Sequence, residues 1–204
     1  MIVHDMEQGT DEWFEVRRGL PTSSQFATIM ASGRGGAPSK TRQTYMFKLA
    51  GERLTGDPMD NFTNHHMERG HIMEPEARKY YAFMQDVEPE QVGFITNYGA
   101  GSSPDSLVGK DGMLEIKTKL PHLMLDILEA GKFPPEHRAQ CQGQLWIAER
   151  EWVDLICYWP KMPPFIQRAY RDDEYIKTIS EAVAQFNDEL NELVERYQPT
   201  SKAA

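Results

Sequence analysis

The sequence predicts a mixed α/β single domain with a small central sheet flanked by helices. Three observations predict it. Hydrophobic residues at helical spacing dominate both ends of the chain. Short strand signals cluster in the middle, around the turn Gly109-Lys110-Asp111-Gly112. A further apolar strand, Trp152–Trp159, is separated from that cluster by helical segments. The 204 residues, 40% hydrophobic and 26% charged, suffice for one domain with a sizeable core. That domain is expected over residues 1–198, with a disordered tail over 199–204.

In chain order, residues 11–31 read as a short helix around Trp13 that ends at Arg17-Arg18-Gly19, then a second helix with Thr22, Ser23 and Ser24 as candidate caps. The glycine-rich stretch 32–41 is a flexible loop, and a helix follows over Arg42–Arg53. Residues 64–85 are helical, with a restart expected at Pro75 because proline lacks the intrahelical donor. Gly93–Asn97 is a short strand. Ser102–Val108 and Met113–Lys119 form a hairpin about the Gly109–Gly112 turn. Residues 121–130 and 135–149 are helices, and Trp152–Trp159 is aromatic and apolar enough for a buried strand. Near the C-terminus Tyr175, Ile176, Ile179, Val183, Phe186, Leu190 and Val194 recur at helical spacing, a stripe assigned to core packing.

Charge narrows the function classes. The net charge of −9 excludes a generally sticky polyanion binder. Residues 13–48 nevertheless carry Arg17, Arg18, Arg34, Lys40, Arg42 and Lys48 against Glu15 alone, a pattern suited to a protein that accepts a polyanion in one place. The N-terminal segment lacks the basic and apolar regions of a signal peptide, and no apolar run reaches the length of a membrane span, so a cytoplasmic location and no membrane partner are expected. The two cysteines, Cys141 and Cys157, are too few for a disulfide framework, lack zinc spacing and are read as buried thiols.

The chemistry concentrates in the segment from Ser103 to Lys117. Folding it about Lys110-Asp111 brings Asp105 within about one residue of a position opposite Glu115, so two carboxylates meet across adjacent strands. Strand alternation sets Glu115 and Lys117 on one face, while the Ile116 side chain points away and leaves its carbonyl available. Carboxylates and carbonyls are the ligands hard cations such as magnesium take. A metal there activates water and stabilises a phosphoryl transition state, and Lys117 is placed to orient or help deprotonate that water or to neutralise charge on the phosphate. Read alone, the hairpin is equally a charged surface turn. Upstream, Glu74 in Arg69-Gly70-His71-Ile72-Met73-Glu74-Pro75 offers a further carboxylate. Downstream, His137, Gln140 and Gln144 form one polar stripe, compatible with function or with a solvated helix face.

Glu74, Pro104-Asp105, Glu115-Ile116-Lys117 and Gln140, in this order and spacing, resemble the lambda exonuclease family, also called YqaJ-like viral recombinases, within the PD-(D/E)xK nuclease superfamily. The N-terminal Trp13-x3-Arg17-x-Gly19-x2-Thr22-x-Ser24 segment and Arg34 extend the resemblance, which covers residues 7 to 195. It implies a restriction-endonuclease-like fold. It also implies a magnesium-dependent exonuclease, with manganese as substitute, that digests linear double-stranded DNA from 5′ to 3′, releases mononucleotides and leaves a 3′ single strand for recombination by strand annealing. By resemblance Asp105, Glu115 and the Ile116 carbonyl bind metal, Glu74 helps hold a second ion, Lys117 is the catalytic lysine and Gln140 supports the site. Arg17, Ser24 and Arg34 resemble the pocket for the 5′-terminal phosphate. A ring-shaped homotrimer and a single-strand annealing protein are the implied partners. The chain departs from the lambda enzyme around residues 35–65 and 85–91, and His137 has no counterpart role; it reads as a structural histidine with its ring satisfied, or as a contact to DNA or the reacting phosphate.

Two alternatives compete. A site-specific or structure-specific endonuclease shares the fold, but no added recognition domain is visible. A catalytically dead DNA-binding protein would not need the acidic pair beside phosphate. Iron–sulfur nucleases need four cysteines and are excluded.

Overall fold

Polar caps, glycines and one proline set the element boundaries. The structure is a computed structural model that describes residues 1–33, 35, 39–59 and 65–198, with only the backbone of 65–68 and 71. Arg34, positions 36–38 of the expected loop and the expected tail 199–204 lie outside the described residues. The order is β1 (Ile2–His4), α1 (Asp11–Arg17), α2 (Phe26–Met30), α3 (Lys40–Thr55), α4 (His65–Gln85), β2 (Pro89–Glu90), β3 (Phe94–Asn97), β4 (Ala100–Ser102), β5 (Ser106–Val108), β6 (Gly112–Thr118), α5 (Pro121–Ala130), α6 (Arg138–Ala148), β7 (Trp152–Tyr158), β8 (Phe165–Tyr170) and α7 (Asp173–Tyr197). Short 3-10 turns, Ser23–Gln25 and Pro135–His137, lead into α2 and α6. Thr10 caps α1 by accepting the Trp13 amide, and Asp172 caps α7 by accepting the Tyr175 amide.

The mixed α/β architecture is as expected, with two sheets rather than one. β1–β3–β4 form a small antiparallel sheet; β2–β5–β6–β7–β8 form a mixed one in which β6 and β7 run parallel. The segment read as one strand over Ser102–Val108 is two strands, β4 and β5, in different sheets. Pro104 sits in the break, where it cannot donate to a ladder. Three strands carried too little signal to be assigned: β1 and β2 are two or three residues long, and β8 mixes Gln167 and Arg168 into its apolar pattern. α4 runs unbroken through Pro75. Ala77 and Tyr81, both fully buried, pack with Leu114, Ile116 and Ile156, and that burial outweighs one missing backbone bond. The second N-terminal helix begins through its 3-10 turn, and the Thr22 side chain makes no capping bond.

The five-stranded sheet is covered on both faces. α4 lies on the face carrying Leu114 and Ile116. On the other face α6 and α7 pack around Met113 and Val153, and α5 packs Met124 and Ile127 on Leu155 and Cys157. The α7 stripe is core, as predicted: Ile176, Ile179, Val183, Phe186, Leu190 and Val194 are all buried, each contributing roughly 1.5–3 kcal/mol of transfer free energy. Gly143 lets α6 pack closely on α2: a Cβ there would lie 2.3 Å from the Phe26 ring.

Candidate active site

β5 and β6 pair with Ser106 opposite Leu114 and Val108 opposite Gly112, turning through Gly109-Lys110-Asp111 with Gly109 at a left-handed φ of 54°. Continued one step, this register sets Asp105 across from Glu115, as the spacing predicts. Asp105 lies just beyond the ladder, and its Oδ2 accepts the Ile116 amide at 2.5 Å. The Ile116 side chain turns into the α4 cluster, away from Glu115. Glu115 and Lys117 share a face, with Nζ 2.6 Å from Oε1.

Glu115 is 2% exposed. Such a buried carboxylate requires partners, and α6 supplies two. Gln140 donates to Oε1 at 2.6 Å and Gln144 to Oε2 at 2.5 Å. The polar stripe on α6 is therefore turned inward onto β6 rather than solvated. Glu74 reaches the hairpin through Arg78, which pairs with it one helical turn on and donates Nε to Ser106 Oγ at 2.9 Å and Nη2 to the Asp105 carbonyl at 3.2 Å.

Burial pushes the Asp105 carboxyl well above the ordinary aspartate range, and the negative charges of Glu115 and Glu74 add to it. Lys117 and the Ile116 amide offset this only in part. For Lys117, burial works to lower the pKa, but Glu115 and Asp105 outweigh it, and the ammonium holds its proton more tightly than a lysine in water. Cys141 and Cys157 are buried free thiols, as expected. Burial raises both, Cys157 to about 11, so neither is a nucleophile.

Among the described residues no three acidic, histidine or cysteine side chains converge into a ready-made metal cage. The donor set nonetheless suits a hard divalent cation. Asp105 and Glu115 are oxygen donors held side by side, and the mutual repulsion that raises Asp105 is what a cation would relieve. Magnesium commonly takes one or two carboxylates and completes its shell with water and substrate oxygens.

His137, just before α6, has its Nε2 buried without a hydrogen-bond partner among the described residues, 3.8 Å from Glu136 Oε1. The reading of a fully satisfied ring does not hold. Burial, then Lys117 and Lys119, push its pKa down to about 4, so it is neutral.

Arg17 and Ser24 line one cavity of about 610 Å³ with Leu20, Tyr45, Lys40 and Lys48. Arg17 stacks 3.9 Å from the Trp13 ring centroid and donates Nη1 to Ser103 Oγ at 3.1 Å; the Trp13 indole donates to the same hydroxyl at 3.1 Å. Ser103 stands two residues before Asp105 and so ties this cavity to the hairpin. The acid in the cavity wall, Glu52, is buried and accepts the backbone amides of Gly19 at 2.7 Å and Met59 at 3.1 Å. Sequence reasoning counted Lys48 in the basic region but gave no role to Ser103, Arg78 or Glu52. Arg78 was findable, four residues after Glu74 on one helix. Ser103 and Glu52 left no local signal.

Comparisons with known structures support what the fold and this chemistry suggest. An alkaline exonuclease (LHK-Exo) from Laribacter hongkongensis is 35% identical, with a TM-score of 0.83 over 92% of this chain and 95% of that one. The same enzyme in complex with dAMP matches at 34% identity and a TM-score of 0.83, with the same coverage. A phage related exonuclease from Haemophilus somnus 129PT shares the fold, with a TM-score of 0.67 at 14% identity over 90% of this chain and 98% of that one. No curated protein sequence matches. The molecule is a nuclease on the mixed α/β fold of the alkaline exonucleases. Residues 12–151 match the YqaJ-like viral recombinase domain, and the chain belongs to that family. Among the described residues no helix is long and apolar enough to cross a membrane.

Proposed function

We propose that the protein is a magnesium-dependent exonuclease that digests one strand of linear double-stranded DNA inward from its 5′ end, releasing mononucleotides and leaving a 3′ single strand for strand annealing. The observation that carries this reading is the juxtaposition of Asp105, Glu115 and Lys117 on one hairpin, joined through Ser103 to the basic cavity of Arg17 and Ser24. Asp105, Glu115 and the Ile116 carbonyl would hold one ion and Glu74 would help hold a second, with manganese able to substitute. Bound there, magnesium supplies Lewis acidity toward water and phosphate oxygens.

The chain's own residues do the rest. Lys117, held charged beside Glu115 and Asp105, would orient or help deprotonate the attacking water or offset charge at the phosphate. Gln140 fixes Glu115 Oε1. Arg17 and Ser24, with Arg34, take the terminal 5′-phosphate, which carries more negative charge than a diester and suits a guanidinium fork. Holding that phosphate one short strand segment from Asp105 sets the register of the next cut and gives the motion direction. A homotrimeric ring that encircles DNA, and a single-strand annealing partner for the 3′ strand, complete the reading.

The test is digestion of linear and circular duplexes, labelled at the 5′ or 3′ end, with magnesium or with chelator. Wild type should release 5′-end label as mononucleotides from linear DNA only, and Asp105→Asn, near-isosteric, should fold normally and lose cleavage. Cleavage of circles, loss of the 3′ end first, or activity in chelator would each overturn the assignment.

A further inference from the structure

Gln144 is the fully buried member of the α6 stripe, and the reading above gives it no task. It donates Nε2 to Glu115 Oε2 at 2.5 Å, whereas Lys117 and Gln140 both meet Oε1. The two carboxylate oxygens are thus treated differently. Oε1 meets the half-buried Lys117 and Gln140. Oε2 is turned into the interior and held there. The other end of the Gln144 amide, Oε1, is buried with no hydrogen-bond partner among the described residues. A glutamine whose acceptor is unmet deep in a core is a poor choice for packing alone. Its orientation is also forced, because the reversed amide would set oxygen against carboxylate oxygen.

We infer that Gln144 is a positioning residue that makes Glu115 a one-oxygen ligand and thereby tunes the site toward magnesium over calcium. The inference rests on the metal-binding reading of Asp105 and Glu115. With Oε2 tied to Gln144, Glu115 presents Oε1 alone. Calcium accepts six to eight oxygens at longer distances and readily takes a carboxylate through both, while magnesium demands a tight octahedron and takes carboxylates singly beside its waters. Freeing Oε2 therefore favours calcium selectively. Gln140 acts on the oxygen a cation would itself take over, so its removal does not change how many oxygens Glu115 offers.

The test uses the whole protein without DNA. Manganese binding is followed by the electron paramagnetic resonance of free Mn²⁺, and bound Mn²⁺ is displaced by Mg²⁺ or Ca²⁺. The ratio of the two displacement constants is the readout. Gln144→Met has similar length, removes the unmet amide oxygen and leaves Glu115 Oε2 without its donor, open to a cation; Gln144→Leu runs in parallel so that misfolding of one variant does not decide the matter. Either folded variant should shift the ratio toward calcium by about tenfold or more, the size that losing a partner of a metal ligand reaches, while Gln140→Met leaves the ratio where wild type has it. An unchanged ratio in a folded Gln144 variant, or an equal shift in Gln140→Met, overturns the inference and leaves the metal site standing. Manganese binding that is the same in wild type and Glu115→Gln overturns the metal site itself, and the inference with it.

Discussion

Replacing Arg17 by alanine is the most direct test of the proposed 5′-phosphate pocket. The side chain is half-buried against Trp13, bonded to Ser103 and lines the cavity beside Ser24. A hydrogen bond to a charged group contributes about 1.5–3 kcal/mol, and every 1.4 kcal/mol is tenfold. One such bond lost from the terminal phosphate should therefore lower the preference for 5′-phosphate over 5′-hydroxyl ends by roughly 10- to 150-fold. The stacking lost with it is worth only about 0.5–1 kcal/mol at a partly exposed site, which predicts a Tm drop of about 1–4 °C in a domain of this size. Arg17→Lys separates the two contributions: it keeps the charge, loses the planar fork and the stack, and should fall between wild type and alanine. The assay is the initial rate on linear duplexes that differ only in the 5′ group, for wild type and both variants. A wild-type enzyme indifferent to that group, or an alanine variant with its preference intact, would falsify the assignment of Arg17.

Three further outcomes follow from the structure. Asp154, 2% exposed, accepts two bonds from Arg168 at 2.8 Å and one from Tyr81 at 2.6 Å. Breaking a buried pair costs about 3–5 kcal/mol, less here because Arg168 is over a third exposed, so Arg168→Met should lose about 2–3 kcal/mol, a fall of roughly 4–12 °C in Tm by calorimetry; an unchanged Tm would make the pair ornamental. His137 has a folded pKa of about 4, below the ordinary 6.5, so between those values the unfolded chain binds a proton that the fold does not. Stability should rise with pH through that window and be lost as pH falls across it, by about 3 kcal/mol in all, and His137→Gln should flatten this limb in urea titrations; identical limbs would contradict a buried neutral ring. Finally, α4 and α5 expose Ile72, Phe83, Met84, Leu123 and Leu125. Sedimentation should report a trimer, and a monomeric mass at concentrations where digestion is processive would remove the ring from the proposal.

The fold was legible where local chemistry and burial agreed. The α7 stripe has one periodicity and one face to bury, and the hairpin turn carries glycines where the backbone needs them, so both stand where the sequence puts them. Legibility failed where tertiary packing overrides local preference. Pro75 ends a helix in isolation, yet α4 continues because Ala77 and Tyr81 have a sheet to pack on. The split of Ser102–Val108 into two sheets is written in Pro104, but the apolar residues around it suit one strand as well as two. β8 looks polar because Arg168 is there to pair with Asp154, a partner on the neighbouring strand.

Sequence distance sets the same limit on the site. Asp105, Glu115 and Lys117 lie within one hairpin, so turn geometry alone brings them together, and Gln140 and Gln144 arrive on a single helix whose spacing is visible. The basic cavity is different. Arg17 meets Ser103 across 86 positions, and Gly19 is held by Glu52 across 33. No periodicity or turn rule connects such pairs. The sequence supplies their identities, and only the packing of α1 on the small sheet and of α3 on α2 and α7 makes them neighbours. The two halves also differ in what their charges require. The acids of the hairpin are costly where they stand, since burial and mutual repulsion raise Asp105 while Lys117 and Arg78 are drawn in to offset Glu115 and Glu74. In the cavity Glu52, the one acid among the described lining residues, accepts two backbone amides, and Arg17, Lys40 and Lys48 line the same space. On the proposed reading one end of the site would receive a cation and the other a phosphate, and Ser103, two residues from Asp105 and bonded to Arg17, joins the two.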